Sequence, residues 1–164
     1  MIRLESFFAV LNKQTISFFT GVPDSLLKQF NNYLMSNTKK HIIAANEGNA
    51  IGIAAGYHLT TKKIPLVYMQ NSGEGNIINP MNSLVEPYKI PIFLLIGWRG
   101  EPGVSDEPQH IKQGEVTLKQ LETLGIKYSI LSKQESQALK QIEEACVYMK
   151  KTSKPFAIII RKNT

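Results

Sequence analysis

Six short apolar runs, separated by segments of helical spacing, constrain the fold more than any other feature of this chain. The first, Ser17-Phe18-Phe19-Thr20, stops at Gly21-Val22-Pro23. The others fall at 41–45, 65–69, 92–96, 127–131 and 156–160. Between them, helices are expected at 25–36, 50–59, 77–87, 115–124 and 134–151, with another over 1–13 at the start. Asp24 or Ser25 is placed to cap the second helix, and Leu26, Leu27, Phe30, Tyr33 and Leu34 recur along it at helical spacing. The run at 92–96 is apolar without alternation, the pattern of a strand buried on both faces. Such alternation predicts an α/β fold: an open parallel sheet of about six strands with helices on both faces. With 164 residues, the chain fits a single domain over 1–164.

In a sheet of that kind, ligands sit past the carboxyl ends of the strands. The chain's least ordinary segments fall there: 21–25, 46–49, 70–76 and 97–110. Asn46-Glu47-Gly48-Asn49 places an acid between an apolar strand and a helix rich in Ala and Gly. Glu47 is read either as a first-turn acid that favours the positive end of the helix dipole or as a buried carboxyl sharing a proton with a ligand nitrogen. Gln70-Asn71-Ser72-Gly73-Glu74-Gly75-Asn76 is read as a glycine loop. No Gly-Lys-Ser/Thr follows it, and Ile78 stands where a dinucleotide fingerprint needs its third glycine. The polar stretch 97–114 is expected to be a long and mobile loop, and loops of that length tend to carry function. Within it, Arg99 and His110 could meet an anionic group.

Other classes are disfavoured. The net charge is +6, but the lysines are scattered in short pairs such as Lys39-Lys40, with no basic stripe that interleaves aromatics, so nucleic acid is not an expected partner. A positive field of this kind does suit a small anionic substrate. No apolar run approaches the ~20 residues of a membrane span, and the start reads as an amphipathic helix rather than a signal peptide. The lone Cys146 forms no internal disulfide, which fits a reducing, cytoplasmic setting. Asp106 and Glu107 have no metal-ligand spacing with any histidine, so no metal site is expected in this chain. The serines lack a nucleophile-elbow setting, and His41 and His58 read as structural.

Taken in order, GVPDS (21–25), NEGNAIGIAAGYHL (46–59), QNSGEGN (70–76), GWRGEPG (97–103) and DEPQH (106–110) resemble the pyrimidine-binding (PYR) domain of phosphonopyruvate decarboxylases. These are thiamine-diphosphate-dependent 2-oxoacid decarboxylases, and the likeness extends more loosely to the alpha subunit of sulfopyruvate decarboxylase. The resemblance implies that Glu47 hydrogen-bonds N1′ of the cofactor's aminopyrimidine, with Gly48, Asn71, Ser72 and Gly73 around the cofactor. It places Asp24 and Ser25 at the substrate end, Asp24 as a proton relay. Arg99 and His110, assisted by Gln109, are expected to hold the phosphonate. The family also requires a second domain with a Gly-Asp-Gly motif, which holds Mg²⁺ and the diphosphate, and no Gly-Asp-Gly occurs here. The expected partner is therefore the diphosphate-binding domain of a neighbouring chain or subunit within a homo-oligomer, and the chain is expected to be a domain of a longer protein. Three functions follow: half of a phosphonopyruvate decarboxylase, a sulfopyruvate decarboxylase alpha subunit, or a stand-alone assembly module without chemistry.

Overall fold

The computed structural model describes residues 2–38 and 40–162. Met1, Lys39, Asn163 and Thr164, which enter the sequence reading in the first helix, a lysine pair and the end of the chain, lie outside the described residues. A six-stranded, wholly parallel sheet forms the centre: β1 (Phe19–Gly21), β2 (His41–Ile43), β3 (Leu66–Gln70), β4 (Phe93–Gly97), β5 (Lys127–Ile130) and β6 (Phe156–Ile160). Their order is β2-β1-β3-β4-β6-β5. The chain leaves β1 toward one edge and then returns to β1's other side as β3. The direction of winding thus switches between β1 and β3, and the crevice past those strand ends is where such sheets take ligands.

Six α-helices cover both faces: α1 (Leu4–Lys13), α2 (Lys28–Asn37), α3 (Glu47–Thr61), α4 (Glu74–Pro80), α5 (Pro108–Thr123) and α6 (Glu135–Thr152). Because strand side chains alternate between faces, β4 supplies both cores. Phe93 and Leu95 pack with Phe30, Leu34, Ile142 and Met149 from α2 and α6. Leu94 and Ile96 pack on the opposite face with Ile51, Ile77 and Leu121 from α3, α4 and α5. Every residue of β4 is buried, as its unbroken apolar sequence requires. Among the described residues, no helix is long and apolar enough to cross a membrane.

Several boundaries differ from expectation, each for a local reason. The first strand lies at Phe19–Gly21 rather than at 17–20. Helix α2 starts at Lys28 and not at 25, because the Asp24 carboxylate accepts the Leu26 N–H at 3.0 Å and holds 24–27 as a turn. Helix α3 begins three residues earlier than expected, at Glu47, since Asn46 Oδ1 accepts the Asn49 N–H at 2.9 Å and caps it. The segment read as a glycine loop is a 3₁₀ turn, Asn71–Gly73, running straight into α4. A π-helical turn, Met81–Val85, follows Pro80. The long loop ends at Glu107, because Pro108 starts α5 with its ring at a position where the missing N–H costs nothing.

One close approach fixes this loop. Gly114 of α5 lies against the Gly100 carbonyl so tightly that a Cβ at 114 would overlap it. On the exposed face of α3, a Cβ at Gly52 would meet nothing within 4 Å. Gly114→Ala is therefore expected to lower stability by about 1–3 kcal/mol through overpacking. In the isolated chain, Gly52→Ala should raise it by about 0.5–1 kcal/mol through helix propensity. Urea unfolding of the two variants checks both signs.

Candidate functional site

The capping of α3 by Asn46 puts Glu47 in the helix's first turn at the end of β2, facing inward with 9% of its surface exposed. Its Oε2 accepts a hydrogen bond from Asn76 Nδ2 of α4 at 2.7 Å. The carboxyl lies against the backbone of Gly73: a Cβ there would stand 2.6 Å from Glu47 Oε1. Gly48 plays the reciprocal part, since its Cβ would stand 2.9 Å from the Asn76 carbonyl. Two glycines thus let the first turns of α3 and α4 meet backbone to backbone. Asn76 was not singled out in the sequence, although it closes the motif 70–76.

Asn71 is fully buried, and its amide is turned into the protein. Its Nδ2 donates to the Arg99 carbonyl and to Thr117 Oγ1, both at 2.8 Å, and its Oδ1 accepts the Arg99 N–H at 3.1 Å. The side chain thereby joins the end of β3 to the end of β4 and to α5. Ser72, next to it, is exposed and accepts a hydrogen bond from Gln70 Nε2 at 2.8 Å.

The segment after β4 is pinned rather than loose. Trp98 Nε1 donates to the Gly114 carbonyl at 2.9 Å. Asp106 accepts from Arg99 Nε at 2.9 Å and from Gly100 N–H at 2.8 Å, and pairs with Arg99 Nη2 as well. Hydrogen bonds from the Arg99 guanidinium, aided by the Gly100 and Glu107 amides, hold the Asp106 carboxyl well below the usual carboxylate range. Arg99 then reaches across the crevice, where Nη1 donates to Ser25 Oγ at 2.8 Å. Arg99, Ser25 and Asp24 are brought together in this way. Gln109 and His110 stand on the first turn of α5, Gln109 exposed and the His110 backbone packed on Gly100.

Asp24 is 7% exposed and lies under Gly97, whose Cβ would stand 2.6 Å from Asp24 Oδ2. Burial pushes its pKa up, against the opposing pull of the Leu26 N–H and the Arg99 charge. Its Oδ1 has no hydrogen-bond partner among the described residues.

A third buried acid escaped the sequence reading. Glu74 is 0% exposed, neither carboxyl oxygen has a partner among the described residues, and burial raises its pKa to about 9. The signal was present: Glu74, Ile77 and Met81 occupy one helical stripe, so an acid stands where an apolar side chain belongs. No group of three His, Cys, Asp or Glu side chains able to hold a metal occurs among the described residues.

A doubly wound parallel sheet with a buried glutamate seated on glycine at its switch point defines a cofactor-binding α/β domain. The family model described as "Thiamine pyrophosphate enzyme, N-terminal TPP binding domain" matches residues 4–123, and the chain belongs to that family. It is 36% identical over 157 residues to the sulfopyruvate decarboxylase subunit alpha of Methanococcus maripaludis, covering 95% of this chain and 92% of that subunit. It is 34% identical over 132 residues to the phosphonopyruvate decarboxylase of Streptomyces viridochromogenes, covering 80% of this chain. The matched region is 33% of that protein's length, so the chain corresponds to about a third of it. The benzoylformate decarboxylase of Polynucleobacter necessarius shares the fold, with a TM-score of 0.70 and 17% identity over 99% of this chain and 30% of that one.

Glu74 generates a prediction about stability. Its folded pKa lies above its unfolded value, so the native state keeps a proton that the unfolded chain releases. Its destabilising effect is absent below about pH 4.5, grows as pH rises, and is complete only above pH 9. Glu74→Met is expected to stabilise the fold by about 3 kcal/mol at pH 7 relative to its effect at pH 4. Urea midpoints at pH 5 and pH 8 test this, and a gain that does not grow with pH would refute it.

Proposed function

We propose that the chain is the pyrimidine-binding half of a thiamine-diphosphate-dependent decarboxylase whose substrate is a 2-oxoacid with a second, tetrahedral anionic group. The observation that carries this reading is the Glu47 carboxyl seated on Gly73 in a nearly dry crevice. The place a Cβ at Gly73 would take is filled by the Glu47 carboxyl itself, so the glycine decides where the acid sits. Only one Glu47 oxygen is hydrogen-bonded within the described residues, to Asn76. The other is left for a ring nitrogen that shares a proton. Held rigidly at low exposure, this carboxyl is suited to stabilising a protonated heterocycle.

When bound, the cofactor supplies the electron sink for cleavage of the bond to carbon dioxide. The chain's own residues do the rest on this half of the site. Gly48 and Gly73 let the acid take its seat between α3 and α4, and Glu47 holds the proton at N1′ of the cofactor's ring. Asp24, pushed toward its neutral form by burial, offers a proton at the substrate end. Ser25 and Arg99 face the anionic group. The diphosphate and Mg²⁺ belong to a partner domain, on another chain or on a longer form of this one.

Phosphonopyruvate is the substrate in the first reading, supported by the DEPQH segment at 106–110. Sulfopyruvate is the second, and two observations favour it. The chain covers 92% of a sulfopyruvate decarboxylase alpha subunit. In addition, Arg99 is already charge-matched by Asp106, whose side chain is 7% exposed. A phosphonate, like a phosphate monoester, approaches a double charge at neutral pH, whereas a sulfonate carries one. A neutralised arginine favours the smaller charge.

Two measurements follow, both on the chain assembled with its diphosphate-binding partner. Glu47→Gln should lose about a hundredfold or more of decarboxylase turnover. Retention of parental turnover would remove the proposed role. Asp106→Asn leaves Arg99 a net cation and should raise the phosphonopyruvate-to-sulfopyruvate ratio of kcat/KM about tenfold. Competition assays with the two oxoacids read this ratio directly.

A further inference from the structure

We propose that His41 and Tyr68 form the entry through which solvent protons reach Asp24, by way of a cavity that the three residues share. The proposal rests on the decarboxylase reading above. Conversion of R–CO–CO₂⁻ into R–CHO and CO₂ takes up one proton for each substrate consumed: the C–C bond breaks, CO₂ leaves, and a C–H bond forms. Asp24 faces the substrate end but is 7% exposed, and its Oδ2 is held by the Leu26 N–H. Each proton it gives must be replaced from outside.

A cavity of about 300 Å³ lies between α2 and the edge strand β2, lined by Asp24, Lys28, Asn31, His41 and Tyr68 among others. Its lining mixes these polar side chains with apolar ones, Met35 and Ile43 among them, and it is roomy enough for several waters beside the polar groups. Asp24 Oδ1 and Asn31 Oδ1, both on side chains 93% buried, have no partner within the described residues. His41 is the first residue of β2 and half-buried. Its Nε2 stands 2.7 Å from the Tyr68 hydroxyl. The fold makes room for this pair: a side chain at Gly21 would overlap the Tyr68 backbone and come within 2.8 Å of its ring. The glycine lets the ring pass beneath β1 to reach β2. Asp24 and Lys28 are the charged groups that line the cavity.

Burial keeps the Tyr68 hydroxyl protonated, with a pKa of about 12, and lowers that of His41, so that both are neutral at pH 7. In its Nε2–H tautomer, His41 takes a proton from solvent at Nδ1 and passes the Nε2 proton to the Tyr68 oxygen; tautomer exchange with water, which takes up no net proton, then restores the Nε2–H form for the next turnover. The Tyr68 proton crosses the cavity by water to Asp24 Oδ1. The carboxyl is restored to its acid form, and no oxidant or reductant is involved.

The test uses the chain assembled with its diphosphate-binding partner, as parent, Tyr68→Phe and His41→Gln. A two-electron dye competes with the proton for the electron pair left when CO₂ departs. It carries off two electrons, and water completes the product as R–COOH. Expected in both variants are about a tenfold fall in aldehyde formation, a matching rise in the acid-to-aldehyde ratio, a larger solvent deuterium effect and an unchanged KM. Before cofactor is added, magnetisation transfer from water to the His41 and Tyr68 rings should be present. His41→Gln, at a half-exposed edge position, decides if Tyr68→Phe fails to fold. A product ratio unaltered by dye, a rise in KM alone, or a cavity without water each overturns the relay. A parent that releases no CO₂ from either oxoacid overturns the decarboxylase reading beneath it.

Discussion

The carboxyl of Glu47 resting on the bare backbone of Gly73 is the contact on which the rest of the site depends. Helix α3 begins after an edge strand and α4 after a central one, and their first turns meet only because neither Gly48 nor Gly73 carries a side chain. Any Cβ at 73 would push Glu47 outward. The carboxyl would then exchange a nearly dry setting with one amide donor for bulk water. The Asn46 cap fixes the first turn of α3 that carries Glu47, and the Asn76 hydrogen bond fixes the side chain itself.

Much of the remaining precision comes from polar groups that face inward. Asn71 ties the exit of β3 to that of β4 with paired hydrogen bonds to the Arg99 backbone, and Gln113 Nε2 reaches the Asn71 carbonyl at 3.0 Å. Asp106 then sets the Arg99 side chain, and the fork geometry of a guanidinium makes that pairing directional. Ser25 receives the outer nitrogen. The strand ends are held at fixed heights by side chains whose bonds are spent within the chain.

How much of this was legible in the sequence depended on the range of the interactions. Strands β4 and β6 were placed to within a residue, because burial on both faces leaves an uninterrupted apolar run. Strands β1 and β2 are three residues each, and β2 exposes Ile42 and Ile43 at the sheet edge, so burial marks their ends poorly. Gly73 and Gly75 argued for a loop at 70–76, and packing against α3 overrode that propensity. The Pro108 start of α5 was a readable signal. The partners of Asn71 lie 28 and 46 residues away, and no local pattern reveals such pairs. The glutamate at 47 was found by its place between a strand and a small-residue helix, whereas its dependence on Gly73 became visible only in three dimensions.

The charges of the crevice give the arrangement its sense. Arg99 and Asp106 cancel one another at contact distance. Burial drives Asp24 toward its neutral form and holds Glu74, one residue beyond the glycine that carries Glu47, as an acid at neutral pH. The destabilisation Glu74 imposes is carried by two well-packed cores on either side of the sheet. A buried acid at a core position is the kind of local inconsistency that proteins retain next to functional groups. Glu74 follows directly on Gly73, the residue that seats Glu47, so the unpartnered acid stands beside the site and not in a remote part of the core.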